Sequence, residues 1–227
     1  MSDPVYHAPV VQGSDEWLEM RRGIITASEV KLLLTPTLKF SNNEKQRAHL
    51  FELAAQRISG FVEPRYVSDD MLRGVEDEIL ARQAYSENFA PVESCGFITR
   101  DMGGFTVGYS PDGLVGADGL IECKSRRQRF QIETIAGGEM PSDFILQVQT
   151  GLWVSGRAWV DFISYSAGLP MAVYRIWPSE RIIEGIQLAC ECAEEAISEI
   201  VGRYRANLST IRNVPTERRA TEEMTIG

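Results

Sequence analysis

The chain has 227 residues, of which 44% are hydrophobic and 24% charged, enough to bury a sizeable core in one soluble domain. No apolar run approaches the roughly 20 residues that cross a bilayer, the opening MSDPVYHAPVVQGSDE lacks a basic-then-apolar export signal, and neither the cysteines (Cys95, Cys123, Cys190, Cys192) nor the histidines (His7, His49) have zinc or disulfide spacing, which argues for a reducing intracellular compartment. The formal net charge of −9 argues against tight open-surface binding of nucleic acid, yet the charge is segregated: Lys124 to Arg129 is strongly basic, whereas Glu184, Glu191, Glu194 and Glu195 crowd a later stretch.

In chain order, residues 14–22 read as a short helix. Thr26-Ala27-Ser28-Glu29 fits a capping box that starts a helix through Val30, Leu32 and Leu33. A further helix is expected over 43–59, with Leu50, Leu53, Ala54 and Ile58 at helical spacing and Gly60 as its stop. The span 69–89 predicts an amphipathic helix whose Leu72, Val75 and Ile79 face inward, with Glu78 beside that stripe. Short alternating stretches at 93–99, 104–110, 119–125, 159–165 and 171–177 read as strands, with turns at Gly103-Gly104 and Asp118-Gly119. Arg126 to Arg129 reads as a loop, 143–155 as a helix, and Pro178 to about Leu208 as one long helix with Ile182, Ile186, Ala189, Ala193, Ile197 and Ile200 on its apolar face. The expected organisation is an N-terminal extension (1–13), a single α/β layered domain (14–208) and a polar tail (209–227).

The chemistry concentrates in Gly-Tyr-Ser-Pro-Asp-Gly-Leu-Val-Gly-Ala-Asp-Gly-Leu-Ile-Glu-Cys-Lys, residues 108–124. Period-two alternation puts Leu120, Glu122 and Lys124 on one face of a strand, and Ile121, Cys123 and Ser125 on the other. The turn at Asp118-Gly119 brings Asp112 alongside Glu122. Glu-x-Lys alone is ordinary on a solvated strand. Paired with an acid in a Ser-Pro-Asp-Gly turn, it makes a hard oxygen site suited to magnesium, which the Cys123 main-chain carbonyl would complete. Lys124 would then orient water or stabilise charge on a phosphate. Of the large aromatics, Trp17, Trp153 and Trp159 are expected in the core.

Asp112…Glu122-Cys123-Lys124 resembles the catalytic signature of the PD-(D/E)XK nucleases. Trp17…Arg21-Arg22-Gly23-Ile24-Ile25-Thr26-Ala27-Ser28-Glu29-Val30, Gly74…Glu78, Ser110-Pro111-Asp112-Gly113 and Gln147-Val148-Gln149…Trp153 resemble, in order, the motifs of the phage lambda-type exonucleases. The resemblance implies a restriction-endonuclease-like core, a mixed central sheet flanked by helices with a long C-terminal helix. It implies a processive enzyme that digests the 5′-ended strand of linear double-stranded DNA, leaving 3′ overhangs. Such an enzyme would form a homotrimeric ring and work beside a single-strand annealing protein in a phage-infected bacterial cytoplasm. Two magnesium ions, or manganese, are implied: one activates the attacking water with help from Lys124, the other steadies the leaving 3′-oxygen. Asp112 and Glu122 become metal ligands, Lys124 the catalytic lysine, and Glu78 a further acid acting through water. Gln147 or Gln149 supports the water or the scissile phosphate. Arg21, Ser28 and Ser110 hold the 5′-phosphate, and Met71 or Leu72 wedges the strands apart. Apart from the resemblance, the basic run offers Arg126, Arg127 and Arg129 to the DNA backbone. A restriction-type or junction-resolving endonuclease, a non-catalytic DNA-end scaffold and an acidic protein-binding module are the alternative readings.

Overall fold

The alternating segments that begin at residue 93 do form strands. The computed structural model describes residues 2–64 and 68–218. In it, β4 (Thr106–Tyr109), β6 (Gly119–Ser125), β7 (Trp159–Tyr165) and β8 (Ala172–Ile176) lie where alternation predicts them, whereas β3 (Phe97–Asp101) begins later than the expected 93–99 and overlaps only its end. Three further strands, β1 (Val5–His7), β2 (Ile25–Thr26) and β5 (Gly113–Val115), have only two or three residues each, too few for a period to register. The strands divide into two mixed four-stranded sheets, ordered β1-β3-β4-β2 and β5-β6-β7-β8. The pair β2–β4 is parallel in the first, and β6–β7 in the second; the rest are antiparallel. The N-terminal stretch set apart as an extension thus supplies an edge strand, and Val10 is buried behind it.

Helices form where caps and period agree. Ser14 caps α1 (Asp15–Arg21), and Asn43 caps α2 (Glu44–Ser59), which ends where Gly60 turns left-handed at φ 64°. The long α6 (Glu180–Leu208) buries Ile186, Ala189, Cys190, Ala193 and Ile197. Its acidic surface is partly balanced from α2, because Arg57 donates to both oxygens of Glu194 at 2.7 and 2.6 Å.

Three expectations need correction. Thr26 ends β2 instead of opening a helix; only a 3-10 turn, Val30–Leu32, follows, although Thr26 does donate to Glu29 at 3.1 Å. Parallel pairing of Ile25 and Thr26 with Val107 and Gly108 wins over the local cap. Second, α3 (Asp69–Asn88) is turned about its axis from the expected orientation: Leu72, Val75 and Ile79 are exposed, and Asp77, Ala81 and Tyr85 are buried. Third, the basic loop after Lys124 is short, because α4 (Gln128–Gly137) begins within it.

Strand β6 lies between two cores. Leu120 packs in the larger, with residues of α2, α5 (Ile145–Ser155) and α6. Ile121 and Cys123 pack in the smaller, under Ala81 and Tyr85 of α3. The alternation read from the sequence is therefore correct, and it places Glu122 and Lys124 on the larger core's side. The final stretch from Ser209 is exposed as far as Arg218; residues 219–227 of the expected tail lie outside the described residues.

Candidate active site

The site is built on the end of β6. Glu122 is 1% exposed, and its carboxylate is held by hydrogen bonds on both oxygens. Its Oε1 accepts from Lys124 Nζ at 2.6 Å and from Gln147 Nε2 at 2.5 Å, and its Oε2 accepts from the Tyr109 hydroxyl at 2.8 Å. Asp112 meets the same strand from the β4–β5 link: the Cys123 amide donates to its Oδ2 at 2.5 Å. The other Asp112 oxygen accepts no hydrogen bond from any described residue.

Glu78 approaches from α3, whose unusual face is explained by how that helix docks. The Ser125 hydroxyl donates to Asp77 at 2.5 Å. The Tyr85 hydroxyl donates to Asp161 of β7 at 2.6 Å, and Arg175 of β8 holds the same carboxylate through two bonds of 2.8 Å. Two polar clamps on one helical face thus hold Glu78 over the sheet.

Electrostatics ties the three acids together. Burial, with the charges of Glu122 and Glu78, holds the Asp112 carboxyl well above the usual carboxylate range. Burial and, more weakly, Glu122 raise Glu78, against the pull of Arg82 and Lys124. Burial alone would lower the Lys124 ammonium, but Glu122 and Asp112 outweigh it and raise it. The site is thus a buried excess of negative charge offset by one ammonium. Such a donor set, all oxygen, fits a hard divalent cation. Among the described residues no three His, Cys, Asp or Glu groups stand close enough to form a complete cage. The fit is therefore to an ion held by Asp112 and Glu122 that keeps much of its water, as magnesium does.

A second cluster adjoins the first through the link Ser110-Pro111-Asp112. Arg21 donates to Ser110 and to Thr26, each at 3.3 Å, and lies 4.2 Å from the Trp17 ring centre. Trp17 Nε1 donates to Ser110 at 2.9 Å, and the hydroxyls of Thr26 and Ser28 are 3.4 Å apart. The three expected phosphate-binding residues, Arg21, Ser28 and Ser110, are thus brought together. A cleft of about 1190 Å³ runs from Arg21 and Thr26 past Glu78 to Met71, Leu72 and Ile79. Its wall is the apolar stripe of α3.

The remaining candidates separate. Gln149 does not reach the site: it is buried, donating to the Trp177 carbonyl and accepting from the Ser179 amide, and so braces the entry to α6. Gln147 alone of that pair touches a candidate ligand. Arg127 is engaged by Asp70 at 2.7 Å. Trp153 is in the core, as expected, and Trp159 is half-buried beneath Arg175, but Trp17 joins the cluster of Arg21 and Ser110. Tyr109, Thr26 and Trp17 contact the candidate residues without being singled out by the sequence. Tyr109 carried a signal, since it stands one residue before the Ser-Pro-Asp-Gly turn. Its approach also needs Gly151: a Cβ there would lie 2.7 Å from the tyrosine Cζ.

Comparisons with known proteins agree with this geometry. A family model described as a YqaJ-like viral recombinase domain matches residues 16–158, more than half of the chain. The crystal structure of an alkaline exonuclease from Laribacter hongkongensis is similar at 30% identity and TM-score 0.76, covering 87% of this chain and 99% of that one. The complex of that exonuclease with dAMP is similar at 29% identity, with the same TM-score and coverage. A phage-related exonuclease from Haemophilus somnus shares the fold at 12% identity and TM-score 0.56, covering 80% of this chain and 96% of that one. No curated protein sequence matches. The chain belongs to the YqaJ-like viral recombinase family, the recombination exonucleases of phage lambda type on a PD-(D/E)XK fold.

Proposed function

We propose that this exonuclease is divalent-metal-dependent and processive, digests the 5′-ended strand of linear duplex DNA, and leaves 3′ overhangs for recombination by strand annealing. The observation that carries the reading is the adjacency of two clusters. Ser110, in the phosphate cluster, stands two residues before Asp112, in the catalytic one. A pocket for a terminal 5′-phosphate beside hydrolytic groups sets the next phosphodiester over them, which selects ends and gives 5′-to-3′ polarity. The related enzyme's complex with dAMP, a deoxynucleoside monophosphate, suits release of single nucleotides.

In this reading Asp112 and Glu122, with the Cys123 carbonyl and with Glu78 across water, hold magnesium or manganese, two ions per site. When bound, the ions offset phosphate charge and lower the pKa of water. Lys124, kept charged by Glu122 and Asp112, stabilises negative charge developing on the scissile phosphate. Tyr109 and Gln147 fix the Glu122 carboxylate from two sides, so that it needs no reorganisation during the reaction. Arg21, with Ser28 and Ser110, pairs with the terminal phosphate. Met71 and Leu72, exposed at the cleft, wedge the strands apart. A homotrimeric ring around the duplex suits a chain of net charge −9, because topological closure retains DNA with few phosphate contacts. A single-strand annealing recombinase is the partner expected in the host cytoplasm. No helix among the described residues is long and apolar enough to cross a membrane.

End-labelled linear duplex, 5′-phosphorylated or 5′-hydroxyl, tests the reading with and without EDTA. Fast, EDTA-sensitive digestion of the phosphorylated end with covalently closed circles left intact is expected. Cutting of the circles, or digestion unaffected by EDTA, would overturn it.

A further inference from the structure

Beyond Lys124 the structure holds an alternating series of cations and rings. Lys124 Nζ lies 5.7 Å from the Phe144 ring centre, and the Arg126 guanidinium lies 5.3 Å from the same centre. Arg126 is also 5.1 Å from the Phe130 ring, and Arg129 stacks on that ring at 4.4 Å. The order is therefore Lys124, Phe144, Arg126, Phe130, Arg129. The series is anchored in the core, because Phe144 packs against the fully buried Phe162 with ring centres 5.3 Å apart.

The cations differ in how they are neutralised. Lys124 is paired with Glu122. Arg126 and Arg129 form no ion pair with any described residue, whereas their neighbour Arg127 is held by Asp70. Arg126 Nε is buried with no hydrogen-bond partner among the described residues. In a chain of net charge −9, two guanidiniums held in place by rings and left without counter-ions are poised for an anion from outside. Stacked guanidiniums lose little freedom on binding and match phosphate oxygens in pairs.

We propose that Arg126 and Arg129, with Phe130 between them and Phe144 between Arg126 and Lys124, form a track for successive phosphates of the digested strand on the 3′ side of the scissile bond. The proposal rests on the nuclease reading and deepens it: the Arg21 cluster takes the terminal phosphate on one side, and the track takes the continuing backbone on the other. Arg127, drawn into an ion pair with α3, is outside the track, although the sequence groups it with the other two.

The test is equilibrium binding of 5′-phosphorylated linear duplex to the full chain in calcium, measured across a salt series. Arg126→Ala is expected to bind roughly tenfold more weakly and to flatten the slope of log affinity against log salt by about one. Arg126→Lys should keep the slope, since the charge remains, and Arg127→Ala should keep both slope and affinity. Single methylphosphonates stepped along the strand should locate the phosphate, with one neutral linkage weakening wild type but not Arg126→Ala. An unchanged salt slope in Arg126→Ala, with wild type still binding and digesting DNA, overturns the track and leaves the nuclease reading standing. If wild type neither binds nor digests linear duplex, both fall together.

Discussion

Helices α3 and α6 look alike in sequence: each carries apolar residues at helical spacing, over 20 and 29 residues. Only α6 uses that stripe for packing, with Ile186, Cys190, Ala193 and Ile197 fully buried. In α3 the stripe walls a cleft, and docking falls to Asp77, Ala81 and Tyr85. The buried face of α6 is chosen by the hydrophobic effect. The buried face of α3 combines the packing of Ala81 and Tyr85 in the smaller core with two polar clamps, and the outcome is that Glu78 comes near Asp112 and Glu122. A large apolar stripe left open beside charged groups marks a surface for a ligand.

That contrast is open to attack by mutation. The largest effect is expected at the catalytic cluster that α3 completes: Lys124→Ala should lower digestion by about 10³-fold or more while DNA binding is largely kept. Comparable digestion rates in end-label assays would mean Lys124 is misassigned. On α6 the effect should appear in stability instead. Ile197→Ala should cost roughly 2–5 kcal/mol in denaturant unfolding, with the rate per folded molecule unchanged.

Next is the clamp. Tyr85→Phe removes the bond to Asp161 and should cost about 1–3 kcal/mol. It should also raise the magnesium concentration for half-maximal digestion several-fold, since Glu78 loses its placement. A stability loss with unchanged magnesium dependence would make the clamp purely structural.

A smaller effect of opposite sign is expected at Asp112. Its folded carboxyl is held above the ordinary 3.8, and that of Glu78 above 4.5. Groups raised in this way favour the folded state fully only below those ordinary values, and the contribution is lost as pH rises through the raised ones. Without divalent ions, Asp112→Asn should therefore melt a few degrees higher than wild type near pH 8, at the roughly 2–4 °C per kcal/mol of chains this long. The gain should vanish near pH 4, and saturating magnesium should reverse the order. The smallest stability effect belongs to the open stripe: Ile79→Ser should change stability by no more than about 0.5 kcal/mol. A large loss there would mean the stripe is core after all.

These contrasts also explain what the sequence makes legible. Helices α2 and α6 are readable because local period, caps and burial agree. Glu122 and Lys124 are readable because a strand's alternation survives folding unchanged. The orientation of α3 is not, because Asp77–Ser125 and Tyr85–Asp161 join residues 48 and 76 positions apart. Tyr109 depends likewise on a distant glycine, Gly151, which leaves room for its ring. Gln147 and Gln149, two residues apart on α5, cannot share a helical face, but which of them meets Glu122 is decided only by how α5 packs.

The central claim is that Asp112 and Glu122 hold a divalent ion beside Lys124. Crystals soaked in manganese and measured for anomalous scattering test it directly. The account predicts a peak about 2.0–2.6 Å from an oxygen of each carboxylate. A map featureless at that place under saturating manganese, with Glu122 still bonded to Lys124 and Gln147, would contradict it.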